Sequence, residues 1–156
     1  MQCLLLTVGD NKFQYLDTGE KEYLKRLKHY CPTHIESVKS VKMTSGRTSK
    51  TILKDEADFI RKRIKPNDYV VALDQSGHMM DSDDFARTIC HWEFQGIQRM
   101  VFLIGGPLGL DDTLVKEANF VLSLSKMTFM HEMVRLIFLE QFYRAWTILR
   151  GEKYHR

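Results

Sequence analysis

The stretch MVFLIGGPLGL, residues 100–110, decides the fold. Its first five residues are apolar without alternation, as in a strand buried on both faces, and the glycines that follow end it too early for a helix. Such strands belong to parallel sheets covered by helices. The flanking sequence repeats the pattern. QCLLLTV (2–8) and YVVAL (69–73) read as buried strands, HIESVKSV (34–41) alternates like a half-buried one, and NFVLSL (119–124) supplies a fifth. Between them, apolar residues recur at helical spacing over 15–30, from an N-cap at Ser49 to Ile64, over 82–96, over the short 112–118 and over 129–149, the longest. Strand and helix in alternation predict a single α/β domain over residues 1–156: a mainly parallel sheet with helices on both faces.

Composition bounds what such a domain can be. With 156 residues, 44% hydrophobic and 28% charged, the chain can build a full core and is not a disordered polymer. Cys3, Cys31 and Cys90 form no C-x-x-C pair, so neither a disulfide framework nor a metal site is expected, and the thiols read as reduced and cytoplasmic. The opening MQCLLLTVGD lacks a basic n-region and its apolar run is too short for a signal peptide or membrane span. No membrane association is expected.

The net charge is +3, unevenly placed. Nine cations lie between Lys39 and Lys65 against Asp55, Glu56 and Asp58. Such a cluster suits a polyanion, and equally a solvated loop and helix face.

Common catalytic signatures are absent. GGPLG is not G-x-G-x-x-G and follows the fourth strand, and no G-x-x-x-x-G-K-[ST] occurs. HEMVR (131–135) has Arg135 where a zinc protease helix has its second histidine, and there is no G-x-S-x-G elbow. In open α/β sheets ligands sit beyond the carboxyl ends of strands. Three exits qualify: VALDQSG, LIGGPLG and LSLSKMT. Gly105, Gly106 and Gly109 serve either a tight turn or a close ligand approach.

Taken together, EYLKRL, VALD, LIGGPLGL and LSLSKMTFMHEMVRLIFLEQFYRAWTILRGEKYHR, in this order, resemble the RlmH family of SPOUT methyltransferases over essentially the whole chain. The resemblance implies a C-terminal trefoil knot, a homodimer, and methylation of N3 of a pseudouridine in 23S ribosomal RNA, on the assembled ribosome. It implies S-adenosyl-L-methionine as cofactor, held by Leu73, Gly105, Leu124, Ser125, Lys126, Met127, Thr128 and Phe129. That cofactor carries no phosphate, so apolar walls such as Leu73, Ile104 and Leu124 with backbone polar groups suffice.

Two positions depart from the family. Met130 and Lys153 stand where proline is common; Thr128 remains available as a helix cap. A non-catalytic RNA- or nucleotide-binding module on the same fold is the alternative reading.

The implied reaction needs an N–H proton removed, and histidine, with an ordinary pKa of about 6.5, suits the task. His155 is the candidate base, Arg156 the candidate partner for phosphate or developing oxyanion charge, and Tyr154 a stacking platform for an unstacked base. His131, at a helix start, reads as structural. Gly151 ends the long helix and leaves the tail free to move.

Overall fold

The structure, a computed structural model, describes residues 1–155. Five strands form one sheet: β1 (Gln2–Val8), β2 (Thr33–Val38), β3 (Tyr69–Met79), β4 (Arg99–Ile104) and β5 (Phe120–Ser123). Their order is β2-β1-β4-β3-β5, and every pairing is parallel. The helices are α1 (Gln14–Leu27), α2 (Ser49–Arg61), α3 (Ser82–Phe94), α4 (Asp112–Glu117) and α5 (His131–Leu149), followed by a 3-10 turn over Lys153–His155.

Successive side chains of a strand point to opposite faces, so an all-apolar strand feeds two cores at once. In β4, Met100, Phe102 and Ile104 enter the core beneath α1, α3 and α5, while Val101 and Leu103 enter the one beneath α2 and α4. β1 divides likewise, Leu5 to the first face and Leu4 and Leu6 to the second. This is the expected helix-on-both-faces α/β arrangement. Phe102 is fully buried, with its ring centroid 4.4 Å from that of Phe138 and 5.7 Å from that of Phe142.

Element ends differ locally from the sequence reading. The α2 cap is Thr48 rather than Ser49: Thr48 Oγ1 accepts from Thr51 N at 3.2 Å. α5 begins at His131, and its first turn has no side-chain cap. Thr128 is engaged elsewhere, accepting from Gln75 Nε2 at 2.9 Å. β3 runs six residues beyond Leu73, because the chain bulges out over 74–77 and returns to pair His78 and Met79 with β5. Gly77 permits the return: a Cβ there would meet Val121 O at 2.6 Å and Leu122 C at 2.7 Å.

Burial pushes the Cys31 thiol up to about 11, and Cys3 and Cys31 are packing residues of the first core. Among the described residues no helix is long and apolar enough to cross a membrane.

Phe102 links the sheet to α5, so Phe102→Ala is expected to cost about 3–5 kcal/mol. Urea unfolding measures it, with Phe102→Leu retaining most of the stability.

Candidate functional site

The carboxyl ends of β3, β4 and β5 open into one cavity of about 610 Å³. The β3 bulge contributes Leu73, Asp74 and Gln75, the loop after β4 contributes Ile104 to Gly109, and the segment leaving β5 contributes Ser123 to Ser125 and Met127 to His131. Val134, one helical turn into α5, completes the wall. The Gln75–Thr128 hydrogen bond ties the first rim to the third. Ser125 Oγ accepts from Met127 N at 2.9 Å, and Ser123 Oγ donates to Ser125 O at 3.1 Å, so the β5 exit holds its own turn.

The β4 exit is shaped by glycine. Gly109 N donates to Gly106 O at 2.9 Å and Gly109 takes φ +84°, which closes a tight turn over Pro107 and Leu108. At Gly105 a Cβ would fall on the carbonyl of Gly109 and within 2.7 Å of Leu110 N. The turn reading and the ligand reading of these glycines therefore coincide: the tight fold-back is the cavity wall.

Of the eight residues expected to hold a cofactor, seven line this cavity; Lys126 belongs to the same loop but is exposed and outside the wall. The expected apolar wall of Leu73, Ile104 and Leu124 is in place. Asp74, Gln75, Pro107, Leu108, Met130, His131 and Val134 join it without having been singled out for binding. Their signal was adjacency, since Asp74 and Gln75 directly follow Leu73.

Charge in the wall is sparse. Among the described residues no Lys or Arg lines the cavity, and Asp74 carries its one formal charge. His131 is partly buried, with Nδ1 3.2 Å from Glu132 Oε2, and burial outweighs that carboxylate to hold the imidazole below its ordinary pKa. The wall thus suits a ligand without phosphates whose net charge is positive, as for a sulfonium amino acid linked to adenosine. Phosphate-rich nucleotides would meet no cation.

Behind the cavity lies a buried polar layer. Arg135, 2% exposed, donates through Nη2 to Gly9 O and so ties α5 to the exit of β1. Glu20 and Glu132 offset its charge, while burial lowers its pKa. Asn11 Nδ2 donates to Glu20 Oε1 at 2.9 Å. Glu56, also buried, accepts from Val41 N at 2.9 Å and Ser40 Oγ at 3.3 Å.

The tail residues lie elsewhere on their own chain. Tyr154 Oη stands 3.0 Å from Tyr23 Oη and donates to Glu140 Oε1 at 3.2 Å. Its ring meets Tyr143 edge-on at 4.8 Å and the Arg144 guanidinium at 5.0 Å. Burial, then the bond to Tyr23, raises its phenol well above the ordinary range, so it stays protonated. His155 Nε2 is 3.7 Å from Asp83 Oδ2. The segment expected to be loose is thus docked against α1, α3 and α5, and neither Tyr154 nor His155 lines the cavity. Arg156 lies outside the described residues.

A family model described as "Predicted SPOUT methyltransferase" matches residues 1–155. The chain is 41% identical over 156 residues to "Ribosomal RNA large subunit methyltransferase H" of Desulfotalea psychrophila and 42% identical over 158 residues to the protein of that name in Syntrophobacter fumaroxidans, each match covering both chains completely. Halothermothrix orenii has a relative of the same name, 38% identical over 159 residues. Among solved structures, a probable methylase family protein from Haemophilus influenzae aligns with TM-score 0.53 at 10% identity, covering 99% of this chain and 70% of that one, a likeness of fold.

Gly105→Ala is expected to displace the 106–110 turn and weaken methyl-donor binding at least ~10-fold by titration calorimetry, because backbone rather than a flexible side chain must yield. His131 supplies a pH signature. Its lowered pKa makes a contribution to stability that is complete above its ordinary value near 6.5 and lost as pH falls through the folded value. His131→Asn should therefore lose less of its urea midpoint than the parent between about pH 7.5 and about pH 5.

Proposed function

The chain belongs to the SPOUT methyltransferase family, and from that premise we propose that it methylates N3 of a pseudouridine in 23S ribosomal RNA of the assembled ribosome, with S-adenosyl-L-methionine as donor. The observation that carries this reading is one cavity, lined by no Lys or Arg among the described residues, in which seven of the eight residues implied by the resemblance converge. Relatives named for methylation of large-subunit ribosomal RNA, matched over their full length, support the substrate class.

Leu73, Ile104 and Leu124 would bracket the adenine, and the Gly105–Gly106 backbone its polar edge. When bound there, S-adenosylmethionine supplies an electrophilic methyl group. The protein's part is to bring the pseudouridine N3 to that group and remove the N3 proton. His155 takes this proton, Arg156 stabilises negative charge on the base oxygens, and Tyr154 stacks on the base turned out of the RNA loop. Met130 in place of proline alters loop stiffness but removes no polar atom from this scheme.

The protein acts as a homodimer in which each tail serves the partner's cavity. Support comes from the docking of Tyr154 beside Glu140, nine residues along α5 from the cavity's His131 and so about 13 Å away along the axis. A tail held there reaches outward more readily than back to its own β5 exit. The family's trefoil knot completes the reading: β4 inserted between β1 and β3, with β5 beyond β3, is a strand order compatible with a threaded path.

Methyl-labelled S-adenosylmethionine and ribosomes lacking the modification provide the test. Label should enter 23S ribosomal RNA, and deletion of residues 154–156 should abolish transfer while cofactor affinity changes less than about two-fold. Mixing the tail-deleted chain with Gly105→Val should restore activity through hybrid dimers. Cofactor binding without labelled RNA would favour the non-catalytic module instead.

A further inference from the structure

A second cavity, of about 540 Å³, opens beyond the carboxyl end of the edge strand β2, between the 39–48 segment and α2. Lys39, Lys42, Thr44, Arg47, Asp55 and Phe59 line it, with Asp55 paired to Arg47. Its chemistry follows from how the structure sorts the nine cations of the basic segment. The three arginines are committed: Arg47 to Asp55 at 2.7 Å, Arg61 to Glu117 at 2.9 Å and Asp58 at 3.1 Å, and Arg63 to Glu36 at 3.0 Å. The six lysines, at 39, 42, 50, 54, 62 and 65, are exposed and have no ion pair among the described residues.

The available charge of the segment is therefore lysine, which binds phosphates as a point charge without demanding a planar carboxylate. Phe59 is half-buried and forms part of the cavity wall, with Lys62 Nζ 5.9 Å from its ring centroid. Uncommitted lysines beside an aromatic surface are the components by which proteins hold single-stranded nucleic acid, phosphates on the cations and a base on the ring. An acidic protein surface would gain from the arginine forks, which are already occupied.

A buried carboxylate links the groove wall to the turn that walls the first cavity. Glu56 receives Val41 N and Ser40 Oγ from the groove wall, and its other oxygen, Oε2, is 3.7 Å from where a Cβ on Gly106 would stand. Glu56 thus connects the groove wall to the turn after β4. We propose that the Lys39–Lys42–Phe59 groove is a second RNA contact, seating a nucleotide of the substrate RNA outside the cofactor cavity. This rests on the ribosomal RNA reading above for the identity of the strand.

The test uses the full-length protein and large ribosomal subunits lacking the modification. Lys39→Gln/Lys42→Gln should raise the Kd for subunits about ten-fold at ~0.1 M salt and lower the slope of log K against log salt by between one and two. Phe59→Leu, which keeps most of the packing, should raise Kd about five-fold with an unchanged slope. Cofactor affinity and thermal midpoint should stay at the parent's values in both. A photo-crosslinking residue substituted at Thr44 should label 23S ribosomal RNA. Unchanged Kd and slope in the lysine variant, or crosslinks only to a ribosomal protein, would overturn the proposal. The two readings fail separately. RNA crosslinks from the Thr44 variant with a parent protein that transfers no methyl group lose the enzyme reading alone, whereas full transfer with groove variants that bind like the parent loses the groove alone.

Discussion

At Gly105 the chain folds back so far that the carbonyl of Gly109 takes the place of a side chain, and at Gly77 the β3 bulge presses against the backbone of Val121 and Leu122 in the same way. These two approaches set the shape of everything around them. The first holds the 106–109 turn over the end of β4, and the second lets β3 leave the sheet over 74–77 and rejoin β5. Between them stands the cavity, with rims from three strand exits rather than one. A side chain at either glycine would have to push main chain aside, and main chain here is already committed to the sheet ladder or the turn.

The cavity needs a rigid back as well as a shaped rim. Apolar packing supplies part of it through Phe102, Phe138 and Phe142, whose rings pack together from β4 into α5. The rest is polar and buried: Arg135 joins α5 to Gly9, and Glu56 joins α2 to the segment after β2. Charges in such places contribute little net stability compared with hydrophobic replacements, but removing one partner strands the other. They fix which loop sits against which helix. Arg135 fixes α5 against the exit of β1, and Glu56 fixes α2 against the segment that follows β2.

Much of this was legible in the sequence, for physical reasons that differ by element. β1 and β4 were readable because an all-apolar strand that feeds two cores has no alternation to confuse it, and seven of the residues expected at a binding site line one cavity because the segments that carry them leave neighbouring strand ends. The β3 bulge was not readable: Asp74, Gln75 and Ser76 are polar, and only the backbone contact at Gly77 shows that the strand resumes. Thr128 misled, because a hydroxyl before a helix reads as a cap while its partner, Gln75, is 53 residues away. Glu56 and Arg135 leave a signal in the sequence as well. Glu56 is four residues from both Ile52 and Ile60, and Arg135 precedes Phe138, Leu139 and Phe142 at helical spacing, so each charge occupies an apolar stripe.

The tail shows where sequence proximity and spatial role part. Tyr154 is not loose; two hydroxyl contacts and an aromatic edge hold it against α1 and α5, with Glu152 accepting from Tyr30 at 2.7 Å just before it. Each of those bonds is partly solvent-exposed, and such bonds are worth on the order of 1 kcal/mol. The docked position orders the phenol against α1 and α5. The tail's anchor on α5 is also the helix whose first turn closes the cavity, so the position of Tyr154 and the shape of the cavity wall are set by the same rigid element.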